Sequence, residues 1–386
     1  MTSKKTKEAK EGSQEKINFP ERIIESKGLT QIELTHAYHT GHSLYSLCKF
    51  EGDKIISASR INLITVFQFD KKTFRNNHSF KEIEIKGLRY IEDTDQVNCV
   101  KILQDNSIIL CCTKPKIIRL TIVKNEAKII EILDGSNYNC QQFYNAIEFD
   151  YNILITCTNT NILIWKKKSA NNYSYKQNIF TGSDTNLVYI NQNIFAAHIN
   201  DNTIRFYDKN FEESGSRITN VKSRIEPLMM SMINEELLGV CGGGNSIIYL
   251  INIYTRKIIK EVKFNEFSSD YFSISTLPDS SIIVNNSTYL FILKLIKEGN
   301  NYDLKIILIL GQLCGETFTF AHLFDEVFLH SCVNGHFFAY LNPNIDKLID
   351  EKNKSKKEED IIRYEDITKE IKEEKEKENK VKEKQN

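Results

Sequence analysis

A strand–turn–strand unit that recurs seven times, a period in the low to middle forties, and a spare strand near the amino end together predict an all-β fold. The specific expectation is a seven-bladed β-propeller closed by an N-terminal strand, with a charged helical C-terminal tail. Residues 200–208, "NDNTIRFYD", serve as the template: polar turn residues run into a short alternating segment, after the apolar stretch "NIFAAHI". The same pattern returns in "KIISASRINLITVFQF" (54–69), "SIILCCTKPKIIRLTIV" (107–123) and "NILITCTNTNILIWK" (152–166). It returns again in "ELLGVCGGGNSIIYLINI" (236–253), "SIIVNNSTYLFILKL" (281–295) and "EVFLHSCVNGHFFAYL" (326–341).

The first apolar residues of these copies are Ile55, Ile108, Ile153, Ile194, Leu237, Ile282 and Val327, spaced by 53, 45, 41, 43, 45 and 45. Several strands inside a period of that length mark a propeller blade, whereas helical repeats need shorter periods and a 3.6-residue pattern. Each copy is preceded by another strand-like stretch: "LYSLCKF", "NCVKIL", "FYNAIEF", "NLVYI", "LMMSMI", "FSISTL" and "TFTFAHLF". Asp, Asn or Gly lies at every junction, at Gly52-Asp53, Asp105-Asn106, Asp150, Asn191, Asn234, Asp279 and Asp325. These residues tolerate the left-handed backbone that tight turns require.

A fourth strand follows copies one to six: "KEIEI", "AKIIEIL", "YKQNIF", "RITNV", "KIIKEV" and "LKIILIL". Copy seven is followed by polar sequence instead, and "TQIELTHA" (30–37) is the spare strand expected to complete it, which removes an open sheet edge. The expected organisation is an extended or disordered segment 1–28, a propeller 29–342 and a charged, partly helical tail 343–386.

Composition narrows the function classes. The 386 residues carry 51 basic and 51 acidic side chains, so no global field favours nucleic acid or an anionic membrane. Sixteen glycines and five prolines argue against a disordered or collagen-like body. Nine cysteines form no Cys-x-x-Cys pair and sit mostly in apolar runs, which reads as free thiols in a reducing compartment. The polar start "MTSKKTKEAKEGSQEK" is no signal peptide, and the apolar runs are strand-length. A soluble, cytoplasmic protein is expected.

On these residues the chain resembles the WD-repeat family. Asp201 to Asp208 looks like that family's Asp-Gly-Thr-Ile-Arg-Val-Trp-Asp ending, with Tyr207 in the tryptophan place. "NTNILIWK" keeps Trp165, the one tryptophan, but has Lys166 where Asp is usual. Gly41 and His42 match the Gly-His opening, and Ser57 or Ser59 the second-strand serine. The His–Ser–Asp–Trp set of a complete repeat is intact in no copy. The resemblance implies a propeller whose rims dock other proteins.

No residue pattern argues for catalysis. "CGGGNS" (241–246) leads into a strand rather than the helix a phosphate loop needs, and no Gly-x-Ser-x-Gly is present. His36, His39 and His42 would fan apart on a strand, so no metal is expected, and no cofactor is expected either. "WKKKS" (165–169) reads as a solvated basic loop. The expected function is a noncatalytic interaction scaffold or adaptor subunit with other proteins as partners, without nucleic acid and without membrane contact. Its contacts are expected at the turns between second and third strands: Arg60, Lys114, Asn159, Asp201, Asn245, Asn286 and Asn334. The alternatives are a phosphoinositide-binding or membrane-surface propeller, although the chain has no Arg-Arg pair, and a propeller hydrolase. In the tail, Ile361, Tyr364, Ile367 and Ile371 form a narrow helical stripe flanked by Glu-to-Lys pairs such as Glu373–Lys377, suited to a short coiled-coil contact or to docking on another helix.

Overall fold

The structure is a computed structural model. It describes residues 34–39, 44–59, 64–69, 80–87, 96–199, 203–219, 221, 229–242, 247–263, 271–277, 280–286, 289–299, 301–311, 317–324, 327–332 and 336–341. The tail 343–386 and segment 1–28 therefore lie outside the described residues, as do Arg60, Asp201, Asn245 and Asn334.

After β1 (Leu34–His39), the strands fall into antiparallel sheets in chain order. The first holds β2 (Leu44–Phe50), β3 (Lys54–Ser59), β4 (Ile64–Phe69) and β5 (Phe80–Ile83). The second holds β6 (Val97–Ile102), β7 (Ile108–Cys112), β8 (Lys116–Val123) and β9 (Glu126–Asp134). The third holds β10 (Phe143–Asp150), β11 (Ile153–Thr158), β12 (Asn161–Ser169) and β13 (Asn172–Phe180). The fourth has three strands, β14 (Thr185–Asn191), β15 (Ile194–Ile199) and β16 (Thr203–Asp208). The fifth holds β17 (Met229–Met232), β18 (Leu237–Gly242), β19 (Ile247–Asn252) and β20 (Lys257–Lys263). The sixth holds β21 (Tyr271–Thr276), β22 (Ile282–Asn286), β23 (Tyr289–Glu298) and β24 (Asn301–Gly311). The last holds β25 (Thr317–Phe324), β26 (Val327–Cys332) and β27 (His336–Leu341), with β1 antiparallel to β27, Leu34 opposite Tyr340 and His39 opposite His336.

The first strand of each sheet lies beside the first strand of the next, and β25 lies beside both β21 and β2. The sheets consequently pack face to face, and the core sits between them rather than inside any one. Ile56, Val66, Val100 and Leu110 fill the gap between the first and second sheets. Leu154, Leu163, Ile109 and Ile117 fill the next gap, and Ile155, Phe195 and Tyr207 the one after. Middle strands are covered on both faces, so β7 and β11 are buried at every position and read as unbroken apolar runs. Outermost strands have one wet face, and β20 alternates accordingly. The packing is tight enough that Gly239 in β18 has no room for a side chain: a Cβ there would meet Ile233 and Ile274 methyls at 2.8 and 2.9 Å.

The junction residues make the turns, but mostly through their side chains rather than through the left-handed backbone expected of them. Side-chain oxygens of Asp105, Asp150, Asn191 and Asn234 each accept the backbone N–H two residues on, at 3.0, 2.6, 2.9 and 2.9 Å. The same turn chemistry thus closes the first hairpin of four successive sheets. Gly52 (φ +60°) and Asn106 (φ +61°) supply the left-handed backbone in the first two.

One expected strand is absent in the described residues. "RITNV" (217–221) was to be the outer strand of the fourth sheet, but it contributes a single antiparallel bridge, Ile218 to Ile204, and Glu213 bridges to Tyr207. Phe211 (φ +67°) and Gly215 (φ +76°) turn the backbone out of extended geometry, so the edge is covered by bends.

Candidate functional site

Antiparallel hairpins alternate their turns between two ends, so each sheet presents second-to-third turns and inter-sheet crossovers at one rim. The first-to-second and third-to-fourth turns lie at the other. Lys114 sits in the β7–β8 turn and Asn159 in the β11–β12 turn, both half-buried. Hydrogen bonds tie the second of these turns to the crossover entering the third sheet. Asn159 Oδ1 accepts the Gln141 N–H (3.0 Å), Thr160 Oγ1 donates to the Asn139 carbonyl (3.2 Å) and Asn161 Nδ2 donates to the Tyr138 carbonyl (3.0 Å). In the second sheet the Thr113 N–H likewise donates to the Gln96 carbonyl (2.9 Å). Asn286 ends β22 opposite Tyr271.

The densest charged constellation lies at the opposite rim, between the second and third sheets. Arg119, 2% exposed in the middle of β8, aims its guanidinium at the neighbouring sheet. Its Nε donates to Ser107 Oγ (2.9 Å), and Nη2 donates to Asp105 Oδ2 (2.6 Å) and the Ala170 carbonyl (3.0 Å). Lys167, 4% exposed, reaches back from β12 to the same Asp105 oxygen (2.8 Å). Glu131 Oε1 accepts the Tyr173 N–H (2.7 Å), and Glu148 Oε2 accepts the Gln104 N–H (2.6 Å). Four charge-assisted hydrogen bonds therefore cross one sheet boundary, two in each direction. The basic run 165–169 is thus not uniformly solvated: Lys166 and Lys168 are exposed, but Lys167 is buried in this clasp.

Burial alone would push the Asp105 carboxyl up. Hydrogen bonds from Lys167 and Ser107, with the Arg119 charge, outweigh it and hold Asp105 well below the ordinary aspartate value. Glu131 and Glu148 go the other way, raised by burial that their N–H donors only partly offset. For Asp105 the folded pKa is depressed, so its contribution is complete above about pH 4 and is lost as pH falls through the folded value. For the two glutamates the folded pKa is raised, so stability is gained as pH falls from neutrality through those values. Glu148→Gln is therefore expected to flatten the rise in stability as pH falls from neutrality, and Asp105→Asn to flatten the loss below about pH 4. Urea midpoints across pH measure both slopes, and curves parallel to wild type in both variants would refute the assignment.

A second polar system runs along the first strands. Five of them carry a β-bulge at one equivalent place, and the residues that follow the bulge are Ser46, Cys99, Asn145, Ser273 and Thr319. Several small polar side chains here cross to the next sheet. The Val100 N–H donates to Ser46 Oγ (3.0 Å), and Asn98 Nδ2 to the Phe143 carbonyl (2.8 Å). Asn145 Nδ2 donates to Asn186 Oδ1 (2.9 Å), and Thr276 Oγ1 to the Met232 carbonyl (2.7 Å). Among the described residues these bonds link the first four sheets in succession and the fifth to the sixth.

The chain superposes on the WD40 β-propeller domain of Doa1 with a TM-score of 0.62 at 12% identity, covering 81% of this chain and 97% of that one. The fold is a WD40 β-propeller. A chain of the solved Mitotic Checkpoint Complex gives a TM-score of 0.61 at 14% identity, covering 88% of this chain and 97% of its own length. No family model and no curated protein matches in sequence.

In the third sheet Trp165 Nε1 donates to Thr156 Oγ1 (3.0 Å), one bond of the kind a complete WD repeat makes, with Thr156 in the second-strand serine place. Sequence reasoning placed Trp165 but missed the Arg119 clasp and the bulge series. Both left a signal. Arg119 is the one charge inside "IIRLTIV", and a small polar residue recurs within the stretches "LYSLCKF", "FYNAIEF" and "FSISTL". Among the described residues no group of His, Cys, Asp or Glu could hold a metal ion, and no helix is long and apolar enough to cross a membrane.

Proposed function

We propose that this chain is a noncatalytic protein–protein interaction scaffold, an adaptor subunit of a multiprotein complex acting in the cytoplasm. The observation that carries the reading is the WD40 propeller fold, with hydrogen bonds joining several neighbouring sheets along their first strands and a charged clasp at one boundary. Such a body presents broad faces that lose little conformational entropy on binding. That one of the similar propellers belongs to the Mitotic Checkpoint Complex supports a role inside an assembly. In this reading the ring has seven blades closed by β1, which the pairing of β1 with β27 and the position of β25 against β2 support. The crossover rim is the contact face, through Lys114, Asn159 and Asn286 and, in the turns of the other blades, Arg60, Asp201, Asn245 and Asn334. Phe180, 71% exposed where β13 ends toward that rim, is the kind of aromatic anchor that dominates interface energies. The Ile361–Ile371 stripe of the tail is a second contact in this reading.

Affinity purification of the full chain, followed by mass spectrometry, tests this reading. A defined partner set is expected, weakened at least about tenfold by Phe180→Ala with Lys114→Glu. Vesicles containing phosphoinositides are the comparison arm. Flotation of the chain with them, together with no captured protein that responds to the double substitution, would replace the scaffold reading with a lipid-surface one.

A further inference from the structure

The first expectation for the cysteines was inert packing, and most behave so. Cys157 and Cys241 are fully buried, and burial pushes both thiols well up. Cys99 and Cys111 differ. They are directly opposed partners on β6 and β7, immediately after the bulge at Asn98. Opposed residues on antiparallel strands have Cα atoms about 4.5–5.5 Å apart and side chains on the same face, within the span a disulfide accepts. Both side chains lie in the gap between the second and third sheets. Cys112 points into the opposite gap with Ile118 and Val66, Cys48 packs in that gap too, and Cys157 lies beyond the third sheet. The other cysteine of the shared gap among the described residues, Cys140, donates to the Gln142 carbonyl (3.4 Å) and is raised by burial.

We propose that Cys99 and Cys111 are a redox pair that closes to a cross-strand disulfide when a peroxide oxidises Cys99. The surroundings assign the roles. Protonated, the Cys99 thiol donates to Asn145 Oδ1 (3.4 Å). Deprotonated, its sulfur is met by the Cys111 S–H, by the Lys101 charge, by the Ala146 N–H and by the Ser46 hydroxyl, and it ionises more readily than an ordinary thiol. Cys111, facing that anion in a buried gap, is held protonated. Cys99 is also the member that reaches solvent, 8% exposed against none for Cys111. After losing its proton, the Cys99 thiolate attacks one peroxide oxygen. The O–O bond breaks, Cys99 becomes a sulfenic acid, and the departing hydroxide takes up a proton as water. The Cys111 sulfur then displaces the sulfenic hydroxyl, its proton leaving with it as a second water. Two thiols and one hydrogen peroxide become one disulfide and two waters.

The full chain, treated with hydrogen peroxide, alkylated and digested with trypsin, is the test. Cys99 falls in the peptide 90–101, and Cys111 in the peptide 102–116, because Lys114 precedes a proline. A linked peptide lighter by two hydrogens than the two halves is expected from wild type, with fragment ions placing the bond at Cys111. It should persist in Cys112→Ser, disappear in Cys99→Ser and in Cys111→Ser, and form at a lower pH than an ordinary thiol would need. The wild-type fragment ions decide the matter whether or not the serine variants fold. Absence of the linked peptide, or a bond through Cys48, Cys112, Cys140 or Cys157, overturns the proposal.

Discussion

Replacing Arg119 by methionine is expected to cost about 3–5 kcal/mol, the range for removing one partner of a buried ion cluster. Three hydrogen bonds vanish with the guanidinium: those to Ser107 Oγ, Asp105 Oδ2 and the Ala170 carbonyl. The carboxylates left behind set the size of the loss. Asp105 would keep Lys167, but Glu131, whose Oε2 lies 3.9 Å from Arg119 Nη1, and Glu148 stay half-buried at one sheet boundary with a single cation among three acids. Arg119→Lys should recover little, because one ammonium cannot reach a hydroxyl, a carboxylate and a carbonyl spread over two sheets. Lys166→Met, one residue from Lys167 but exposed, should change stability by less than about 0.5 kcal/mol. Thermal and urea unfolding measure all three. An Arg119→Met midpoint within error of the Lys166→Met one would show that the cluster adds nothing.

The clasp also shows where sequence reasoning stops. Period, turn chemistry and binary pattern are local properties, so the architecture was legible: Asp105, Asp150, Asn191 and Asn234 each announce a first hairpin, and each closes it with a side-chain bond to the backbone. What crosses from one sheet to the next is not local. Asp105 and Lys167 stand 62 positions apart, and nothing near either residue says they share an oxygen. "WKKKS" looked like surface because three lysines in a row usually are, yet the middle one is buried by a partner a whole repeat away. "RITNV" was apolar enough to be a strand, but Gly215 upstream bends the chain out of register before it can pair. The candidate rim residues were chosen by topological position alone. That fixed which end of the sheets carries Lys114 and Asn159, not what they touch.

Rigidity among the described sheets has two separable sources. The bulge-linked side chains join first strands with neutral hydrogen bonds, each contributing about 1 kcal/mol net. The Arg119 clasp joins the second and third sheets at the rim with charges that respond to pH. Acid below about pH 4, where Asp105 begins to take up its proton, should therefore loosen that boundary at the rim while leaving the bonds between the first strands of the same two sheets, such as Asn98 to the Phe143 carbonyl, in place.

Trp165→Ala in the third sheet is expected to match the arginine substitution, at about 3–5 kcal/mol, for an unrelated reason. The indole is 3% exposed and sits edge-on to two tyrosines, Tyr138 (5.9 Å, 83°) and Tyr175 (6.2 Å, 78°). Those two rings stack on each other at 4.0 Å, so the indole closes a three-ring cluster that holds the crossover segment Ser136–Tyr138 against the outer strand. Alanine would leave a cavity that the stacked pair cannot fill without separating. Trp165→Phe keeps most of the volume and loses the bond to Thr156 Oγ1, and Thr156→Val loses the same bond from the other side. Each should cost about 1 kcal/mol, and the double variant less than the sum if the bond is one shared interaction. Because Tyr138 and Asn139 also meet the β11–β12 turn that holds Asn159, Trp165→Ala should weaken partner capture along with stability, whereas Arg119→Met, at the far rim, should lower stability alone. Equal losses of capture at equal loss of stability would mean that the two rims are not distinguished by any partner.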